Sequence, residues 1–165
     1  MMKVKHSFLV FAAAFLMVMP AFAKTGVVYQ RQDSLRIVSL LQQAKAMKKK
    51  PANWMMWFGK QFVGIPYVGG TLDRTREELL VVNTRELDCT TYVEIVTALT
   101  MCAKHQETSF AAFCNHLKHV RYIGGEVAYV KRQHYFTLWV DDNVKEGIVK
   151  DIQNNPPSLQ SRPST

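Results

Sequence analysis

Cysteine is scarce in this sequence: Cys89, Cys102 and Cys114 are the only three among 165 residues. So few thiols do not make a scaffold held together by disulfides. Because the count is odd, at least one of them has no partner within the chain. Cys102 and Cys114 can pair with each other, but both lie in apolar helical patterns, which favour buried and unreactive thiols.

Long hydrophobic runs are also missing, apart from one near the N-terminus. Residues 8–18 are wholly apolar, follow a short basic segment, and precede Pro20 and the small-x-small sequence 21–23. These are the three parts of a secretory signal peptide, and the run is too short for a stable membrane anchor. We therefore predict a signal peptide over 1–23, cleavage near Ala23, and export to the periplasm or cell envelope. An uncleaved N-terminal anchor is the alternative.

Acidic residues are few, 13 against 21 lysines and arginines, which gives the chain a net charge of +8. Only Lys3 and Lys5 of these charged residues precede residue 24, so the remainder keeps a net charge of +6. A basic surface suits nucleic acid, an anionic membrane surface or an anionic cell-wall polymer. Charge alone does not choose among them, but we predict no nucleic-acid partner and no cofactor.

Apolar residues recur at helical spacing along much of the chain, with a few short runs that suggest strands. One predicted helix is capped by Asp33 and stops at Pro51, and others cover about 52–63, 89–104, 109–119 and 134–143. A short strand is predicted at Leu79–Val82, an extended segment at Val127–Val130 and a half-buried strand at Ile148–Ile152.

The chain shows no internal repeat and no domain linker, so we predict one domain over residues 24–152. After that point the composition changes to asparagine, proline and serine. Such a segment cannot bury apolar surface. Residues 153–165 are therefore predicted to be a disordered tail.

Cys89 lies at the predicted start of a helix, directly after Asp88. Free backbone N–H groups and the helix dipole at such a position stabilise an anion. A cysteine enzyme needs a thiolate to attack an amide carbonyl, and the same N–H groups can hold the oxyanion that forms. Asp88 is placed to cap the helix, although its charge opposes a neighbouring thiolate. From this pattern alone, a structural and a catalytic cysteine both remain open.

The surroundings of Cys89 are more specific. Gly-Ile-Pro-Tyr-Val-Gly-Gly at 64–70 precedes Asp-Cys-Thr-Thr-Tyr-Val-Glu at 88–94. A Pro-Tyr glycine loop followed by an Asp-Cys helix start resembles the NlpC-type cell-wall cysteine peptidases, which are papain-like in fold. The finer similarity, over about residues 52–152, is to their N-acetylmuramoyl-L-alanine amidase-like branch. It rests on Thr71-Leu72, Glu78-Leu79, Asp88-Cys89-Thr90-Thr91, Arg121-Tyr122, Gly125, and Arg132-Gln133-His134-Tyr135-Phe136 followed by Trp139.

The resemblance implies an α+β protein that hydrolyses the bond between the lactyl group of N-acetylmuramic acid and L-alanine, in peptidoglycan or muropeptides. Cys89 would be the nucleophile. The substrate-site residues would be Tyr67, Asp88, Arg132 and Tyr135. A cut within the peptide stem, or a non-catalytic wall-binding or decayed protein, are the alternatives.

A cysteine nucleophile needs a general base. In the resembled superfamily this is a histidine on a strand well after the cysteine, yet no histidine follows His134. The resemblance thus implies a C-terminally truncated papain-like fold, with its helical half present, most of its antiparallel sheet missing, and sheet edges exposed. Three interpretations stay open: His134 acts as the base, a second polypeptide supplies the missing strands, or the chain is inactive alone. His134 itself either lines a cleft or makes a structural hydrogen bond.

Three further histidines, His105, His116 and His119, are predicted on exposed helix faces. His116 and His119 are three residues apart, but the pattern shows no further ligand beside them. We therefore predict no metal site.

Overall fold

The computed structural model describes residues 26–152, so the predicted signal peptide and the predicted tail lie outside the described residues. It has the mixture of helices and a small sheet expected of an α+β protein. The elements are β1 (Val27–Tyr29), α1 (Arg31–Ala46), α2 (Trp54–Lys60), β2 (Leu80–Val82), α3 (Cys89–His105), α4 (Phe110–Arg121) and α5 (Phe136–Lys145). Within this part of the chain, no helix is both long and apolar enough to cross a membrane.

Helix α3 is at the centre of the fold, packed against α1, α2 and α4. It is buried on several sides, because nine of its residues between Thr91 and Cys102 are inaccessible to solvent. Gly59 of α2 allows the close approach of α2 to α3, since a Cβ at that position would lie 2.5 Å from the hydroxyl of Tyr92. The core that surrounds α3 includes Ile37, Leu41, Phe58, Leu80, Ile95, Leu99, Phe113 and Leu117.

The sheet differs from the prediction. Strand β2 confirms the short strand expected near residues 79–82, but it pairs in parallel with β1, a strand that was not predicted. All three residues of β1 are exposed, and a run of three apolar residues is too short to show the alternation that marks a half-buried strand. No other strand pair occurs within residues 26–152, apart from two isolated bridges.

Two of the predicted extended segments are wrong. Tyr129–Lys131 forms a 3₁₀ turn, closed by a hydrogen bond from the Lys131 amide to the Ala128 carbonyl. Ile148 and Val149 do not enter a strand, because both of their amides donate to the carbonyl of Asn143. These residues wrap the end of α5 and have no neighbouring strand with which to pair.

The prediction that Asp33 caps α1 is also corrected. Gln30 occupies the N-cap position and Asp33 lies inside the first turn, where its carboxylate accepts a hydrogen bond of 2.8 Å from the Gln30 amide. The other carboxylate oxygen accepts from the amide and the hydroxyl of Thr84 at 2.9 and 2.8 Å. Burial raises the pKa of Asp33, but these hydrogen bonds outweigh it and the net shift is downward. Asp33 thus joins α1 to the segment that follows β2.

A buried ion pair joins α3, α4 and β2. Arg121 Nε donates to Glu94 Oε2 at 2.7 Å, and Arg121 Nη1 donates to the carbonyl of Val81 at 2.7 Å. Both side chains are almost fully buried, with 1% and 2% of their surface exposed. Burial raises the pKa of Glu94, and the Arg121 guanidinium opposes that rise. A negative charge on Glu94 therefore depends mainly on the Arg121 guanidinium, with a smaller contribution from Arg132.

Replacing Arg121 tests this dependence. We expect Arg121→Met to lower the free energy of unfolding by about 3–5 kcal/mol at neutral pH, because Glu94 is left buried without its cation. Since burial keeps the pKa of Glu94 high in the folded state, the variant should be more stable in mild acid, and should lose that stability as the pH rises through this pKa. Urea unfolding at several pH values measures both effects.

The exposed pair of Arg74 and Glu86 supplies the control, because Arg74→Met should change the unfolding free energy little. A double variant, Glu94→Leu with Arg121→Met, should recover much of the lost stability. Equal effects of Arg121→Met and Arg74→Met would contradict the assigned role of the pair.

Candidate active site

The start of α3 is fixed by two reciprocal hydrogen bonds. The Asp88 carboxylate accepts from the Thr91 amide at 2.8 Å, and the Thr91 hydroxyl accepts from the Asp88 amide at 3.0 Å. This capping box confirms the prediction that Asp88 caps the helix. Cys89 is the first residue of α3 and is exposed, whereas Cys102 and Cys114 are buried free thiols as predicted.

Tyr67 is brought to Cys89 by a backbone bridge. The Val68 amide donates to the Leu87 carbonyl at 3.0 Å, and the Leu87 amide donates to the Pro66 carbonyl at 3.1 Å. These bonds hold the Pro-Tyr segment alongside the residues that enter α3. The proximity of Cys89 raises the pKa of Tyr67, so the phenol keeps its proton and can donate.

Two clefts meet at Asp88. The apolar cleft, of about 230 Å³, contains Cys89 and is otherwise lined mainly by nonpolar groups: Phe62, Ile65, Tyr67, Leu87 and Tyr92. The polar cleft, of about 160 Å³, is lined by residues 70–73, Asp88, Thr90, Thr91, Glu94, Arg132, Gln133 and His134. A ligand with an apolar part and a polar part can therefore reach from one cleft to the other past Asp88.

Arg132 lies in the wall of the polar cleft, but its guanidinium is largely engaged. It donates to the carboxylate of Asp73 and, at 3.4 Å, to Glu78 Oε1. Glu78 also accepts a hydrogen bond of 2.7 Å from the hydroxyl of Tyr122. Burial lowers the pKa of Arg132, but the two carboxylates outweigh it and the guanidinium stays charged. The contacts of Arg132 with Asp73 and Glu78 therefore stabilise the wall of the polar cleft.

His134 is exposed and lies outside the helices, between the turn at Tyr129–Lys131 and α5. Its Nε2 is 2.9 Å from the carbonyl of Tyr129, and the two rings lie 4.5 Å apart. A carbonyl only accepts, so Nε2 carries the proton in this contact and Nδ1 is left as the basic nitrogen. His134 shares the polar cleft with Asp88 and Thr90, the residues on either side of Cys89.

The contacts of the Cys89 sulfur lie elsewhere. Within the described residues, the sulfur lies 4.0 Å from the hydroxyl of Thr90, and Tyr67 lines the same cleft as Cys89. Tyr135 lines neither of the two clefts and is strongly exposed. The structure thus brings Cys89, Asp88 and Tyr67 together, places Arg132 and His134 in the adjoining cleft, and leaves Tyr135 outside both.

Thr71 is a cleft residue that the sequence did not single out as part of the site. Its side chain is buried, lines the polar cleft, and its hydroxyl has no hydrogen-bond partner among the described residues. A buried hydroxyl without a partner is uncommon. It is therefore available to bind a ligand group in the cleft. The only sequence signal was that Thr71-Leu72 formed part of the family resemblance.

The sequence pattern of the AmiA-like family, described as N-acetylmuramoyl-L-alanine amidase-like, matches residues 57–160. This range contains both clefts and all six predicted site residues. No protein of curated function matches the chain.

Three solved structures are similar. An N-acetylmuramoyl-L-alanine amidase from Bacteroides uniformis is 32% identical over 70% of this chain and 46% of its own, with a TM-score of 0.58. A Bacteroides fragilis protein provisionally assigned as a xylanase is 34% identical over 58% of this chain and 42% of its own, with a TM-score of 0.55. A Legionella pneumophila protein without a named activity is 28% identical over 73% and 40%, with a TM-score of 0.62. The chain spans less than half the length of each.

The thiols give a direct test of this site. We expect a thiol-alkylating reagent to modify one cysteine of the native, reduced protein at neutral pH, because only Cys89 is exposed. All three should react after denaturation. Mass spectrometry of tryptic peptides identifies the modified position.

Cys89→Ala should abolish modification of the native protein, and Cys114→Ser should leave it unchanged. Modification of Cys102 or Cys114 at the same rate as Cys89 would contradict the described burial.

Proposed function

This chain belongs to the N-acetylmuramoyl-L-alanine amidase-like family, and from that premise we propose that it is a peptidoglycan amidase in which Cys89 is the nucleophile. The substrate is the amide between the lactyl group of N-acetylmuramic acid and L-alanine. One observation carries the proposal most strongly: an exposed thiol at the first position of a capped helix, in a cleft with a tyrosine and next to the residue that both clefts share.

The reaction begins when the Cys89 thiolate attacks the carbonyl carbon of the lactyl amide. The negative charge that develops on the carbonyl oxygen is stabilised by backbone N–H groups of the first turn of α3, which have no partners within the helix. The Tyr67 hydroxyl is a further donor. Its raised pKa suits this role, since the phenol keeps its proton beside the anionic sulfur.

Collapse of the tetrahedral intermediate breaks the C–N bond. The amine of L-alanine leaves with a proton, and the lactyl carbonyl remains bound to Cys89 as a thioester. Water then attacks the thioester, releases the lactyl carboxylate and regenerates the thiol. Both halves of the reaction need a group that moves protons near the sulfur.

We assign His134 as the base, acting through Nδ1. The contact of its Nε2 with the Tyr129 carbonyl would hold the ring in the required tautomer. Its place in the polar cleft next to Asp88 and Thr90 supports the assignment. A histidine supplied by a second polypeptide is the alternative source, and a chain that is inactive alone is the third possibility.

The difference in polarity between the two clefts orients the substrate in the site. The carboxylates, hydroxyls and backbone of the polar cleft suit the hydrogen-bonding groups of a muropeptide, with the hydroxyl of Thr71 as one unused partner. The apolar cleft, lined by Phe62, Ile65 and Tyr92, suits nonpolar groups next to the scissile bond. The site belongs, on this proposal, to the papain-like NlpC class, where a cysteine at a helix start does the chemistry.

Export fits the same function, because peptidoglycan lies outside the cytoplasm. The basic head, apolar run and small-residue site within residues 1–23 support a cleaved signal peptide. The protein would act in the periplasm or cell envelope on peptidoglycan or muropeptides.

Muropeptide digestion tests the proposed reaction. We expect the purified protein to release free stem peptides that begin with L-alanine, and Cys89→Ser to release none, because its hydroxyl is a far weaker nucleophile than a thiolate. The buried Cys114→Ser is the matched control and should retain activity. Mass spectrometry of the products identifies the bond that is cut.

Shorter peptides in place of whole stems would show an endopeptidase. No product from an otherwise folded protein, with Cys89 unreactive to thiol reagents, would favour a non-catalytic wall protein.

His134→Gln tests the assignment of the base. We expect it to lower kcat by about 100-fold or more, the usual contribution of a positioned general base. It should also slow alkylation of Cys89 at neutral pH. His119→Gln is the control, because His119 is exposed on α4 and hydrogen-bonds to its own helix at Asn115. Unchanged activity of His134→Gln would show that the base comes from elsewhere.

A further inference from the structure

A second group of chemically reactive side chains lies at the opposite end of α3. The Cys102 sulfur, a Glu107 carboxylate oxygen and a His116 ring nitrogen all lie within 4.8 Å of one another. Cys102 is thirteen residues after Cys89 in the same helix, so the two sulfurs are separated by about 20 Å along its axis. The proposed amidase site does not involve this cluster.

The chain builds the cluster by reversing direction at the end of α3. Gln106 adopts a left-handed conformation with φ of 59°, the only non-glycine residue with positive φ in the described range. The Glu107 amide then donates to the Cys102 carbonyl at 2.9 Å, which sets Glu107 over the last turn of the helix. Glycine is the usual residue at this position, and another residue there costs about 1 kcal/mol or more.

Helix α4 supplies the imidazole. His116 Nε2 lies 2.6 Å from Glu107 Oε2, and the His116 side chain is mostly buried. The prediction that His116 lies on an exposed helix face is therefore wrong. His119, its neighbour in the sequence pattern, does not join it, because His119 Nδ1 hydrogen-bonds to the Asn115 carbonyl.

The donor atoms of the cluster suit a cation. The Cys102 sulfur is buried beside the Glu107 carboxylate and the His116 ring. A divalent cation among the same atoms would balance the carboxylate and deprotonate the thiol. An ion pair between Glu107 and His116 accounts for two of the three groups, but it does not use the buried sulfur.

A fourth ligand is within reach. The ring of His105 stacks on that of His116, with centroids 5.6 Å apart and planes at 20°. His105 is exposed and lies one turn after Cys102, on the same face of α3. This proximity makes His105 the candidate for the fourth position. One thiolate, two imidazoles and one carboxylate are ligands that zinc accepts in tetrahedral geometry.

We propose that Cys102, Glu107 and His116, with His105 as the fourth ligand, form a structural zinc site that fastens the end of α3 to α4. The sequence analysis predicted no metal site, because the pattern showed no further ligand beside His116 and His119. The fold places Cys102 of α3, and Glu107 of the segment between α3 and α4, beside His116.

Cobalt(II) is the probe that tests this site, because a cobalt–thiolate bond absorbs strongly in the near ultraviolet and tetrahedral cobalt absorbs in the visible. The titration uses the full chain in the Cys89→Ala background, under reducing conditions, so that the exposed thiol cannot bind metal. We expect both bands to saturate at one equivalent of cobalt(II), and one equivalent of zinc(II) to remove them.

Cys102→Ser should remove the thiolate band, and His116→Gln should weaken cobalt binding at least tenfold. The matched controls, Cys114→Ser and His119→Gln, should keep both bands. Zinc(II) should also raise the thermal unfolding midpoint of the parent and leave that of His116→Gln unchanged. A missing thiolate band in the parent, or one that survives in Cys102→Ser, would overturn the proposal. These readouts do not depend on amidase activity.

Discussion

Glu94 and Arg121 form an ion pair with almost no exposed surface, and three elements meet at it. A buried carboxylate is strongly unfavourable unless a cation and hydrogen bonds compensate it. The pair is satisfied only when α3, α4 and the carbonyl of Val81 in β2 hold their observed positions. It therefore restricts how α3 lies in the core, and with it where the first residue of α3 reaches the surface.

The same pair connects the core to the candidate site, because Glu94 also lines the polar cleft. About two turns before Glu94, the capping box of Asp88 and Thr91 begins α3, and Cys89 at its first position is exposed. The bridge between Pro66–Val68 and Leu87 then sets Tyr67 beside it. The capping box and the bridge each involve only neighbouring residues. Their positions nevertheless depend on the orientation of α3, which the buried ion pair restricts.

Much of the helical structure could be predicted from the sequence, because helical periodicity is a local signal. Helix α3 begins where the Asp88 cap indicated, α4 begins within one residue of its predicted start at 109, and β2 lies where a short apolar run was seen. Strand β1 could not be predicted, since its three exposed residues are defined by pairing with β2 about fifty residues later. The role of Asp33 was misread for the same reason: Thr84, its partner, lies far along the chain.

In the candidate site, too, the features set by local sequence could be predicted, and those set by contacts between distant residues could not. The proximity of Tyr67 to Cys89 was foreseen from the family resemblance, and the helix start was foreseen from local pattern. The pairing of Arg132 with Asp73 and Glu78 was not foreseen, because the sequence does not show whether an arginine is paired or free. The unpartnered hydroxyl of Thr71 and the approach of His116 to Cys102 are likewise products of tertiary packing.

The two ends of α3 place their thiols in opposite fields. The helix dipole gives the N-terminus a partial positive charge, which favours an anion such as the oxyanion of the proposed reaction. The C-terminus carries the partial negative charge and free carbonyls, which favour cations. Lys104 and His105 already occupy the last turn. A zinc ion held by Cys102, Glu107 and His116 would sit where the dipole favours it, whereas an unbound thiolate at Cys102 would be opposed by both the dipole and Glu107. One helix can therefore hold a nucleophilic sulfur at one end and a metal-binding sulfur at the other, since its own field separates the two roles.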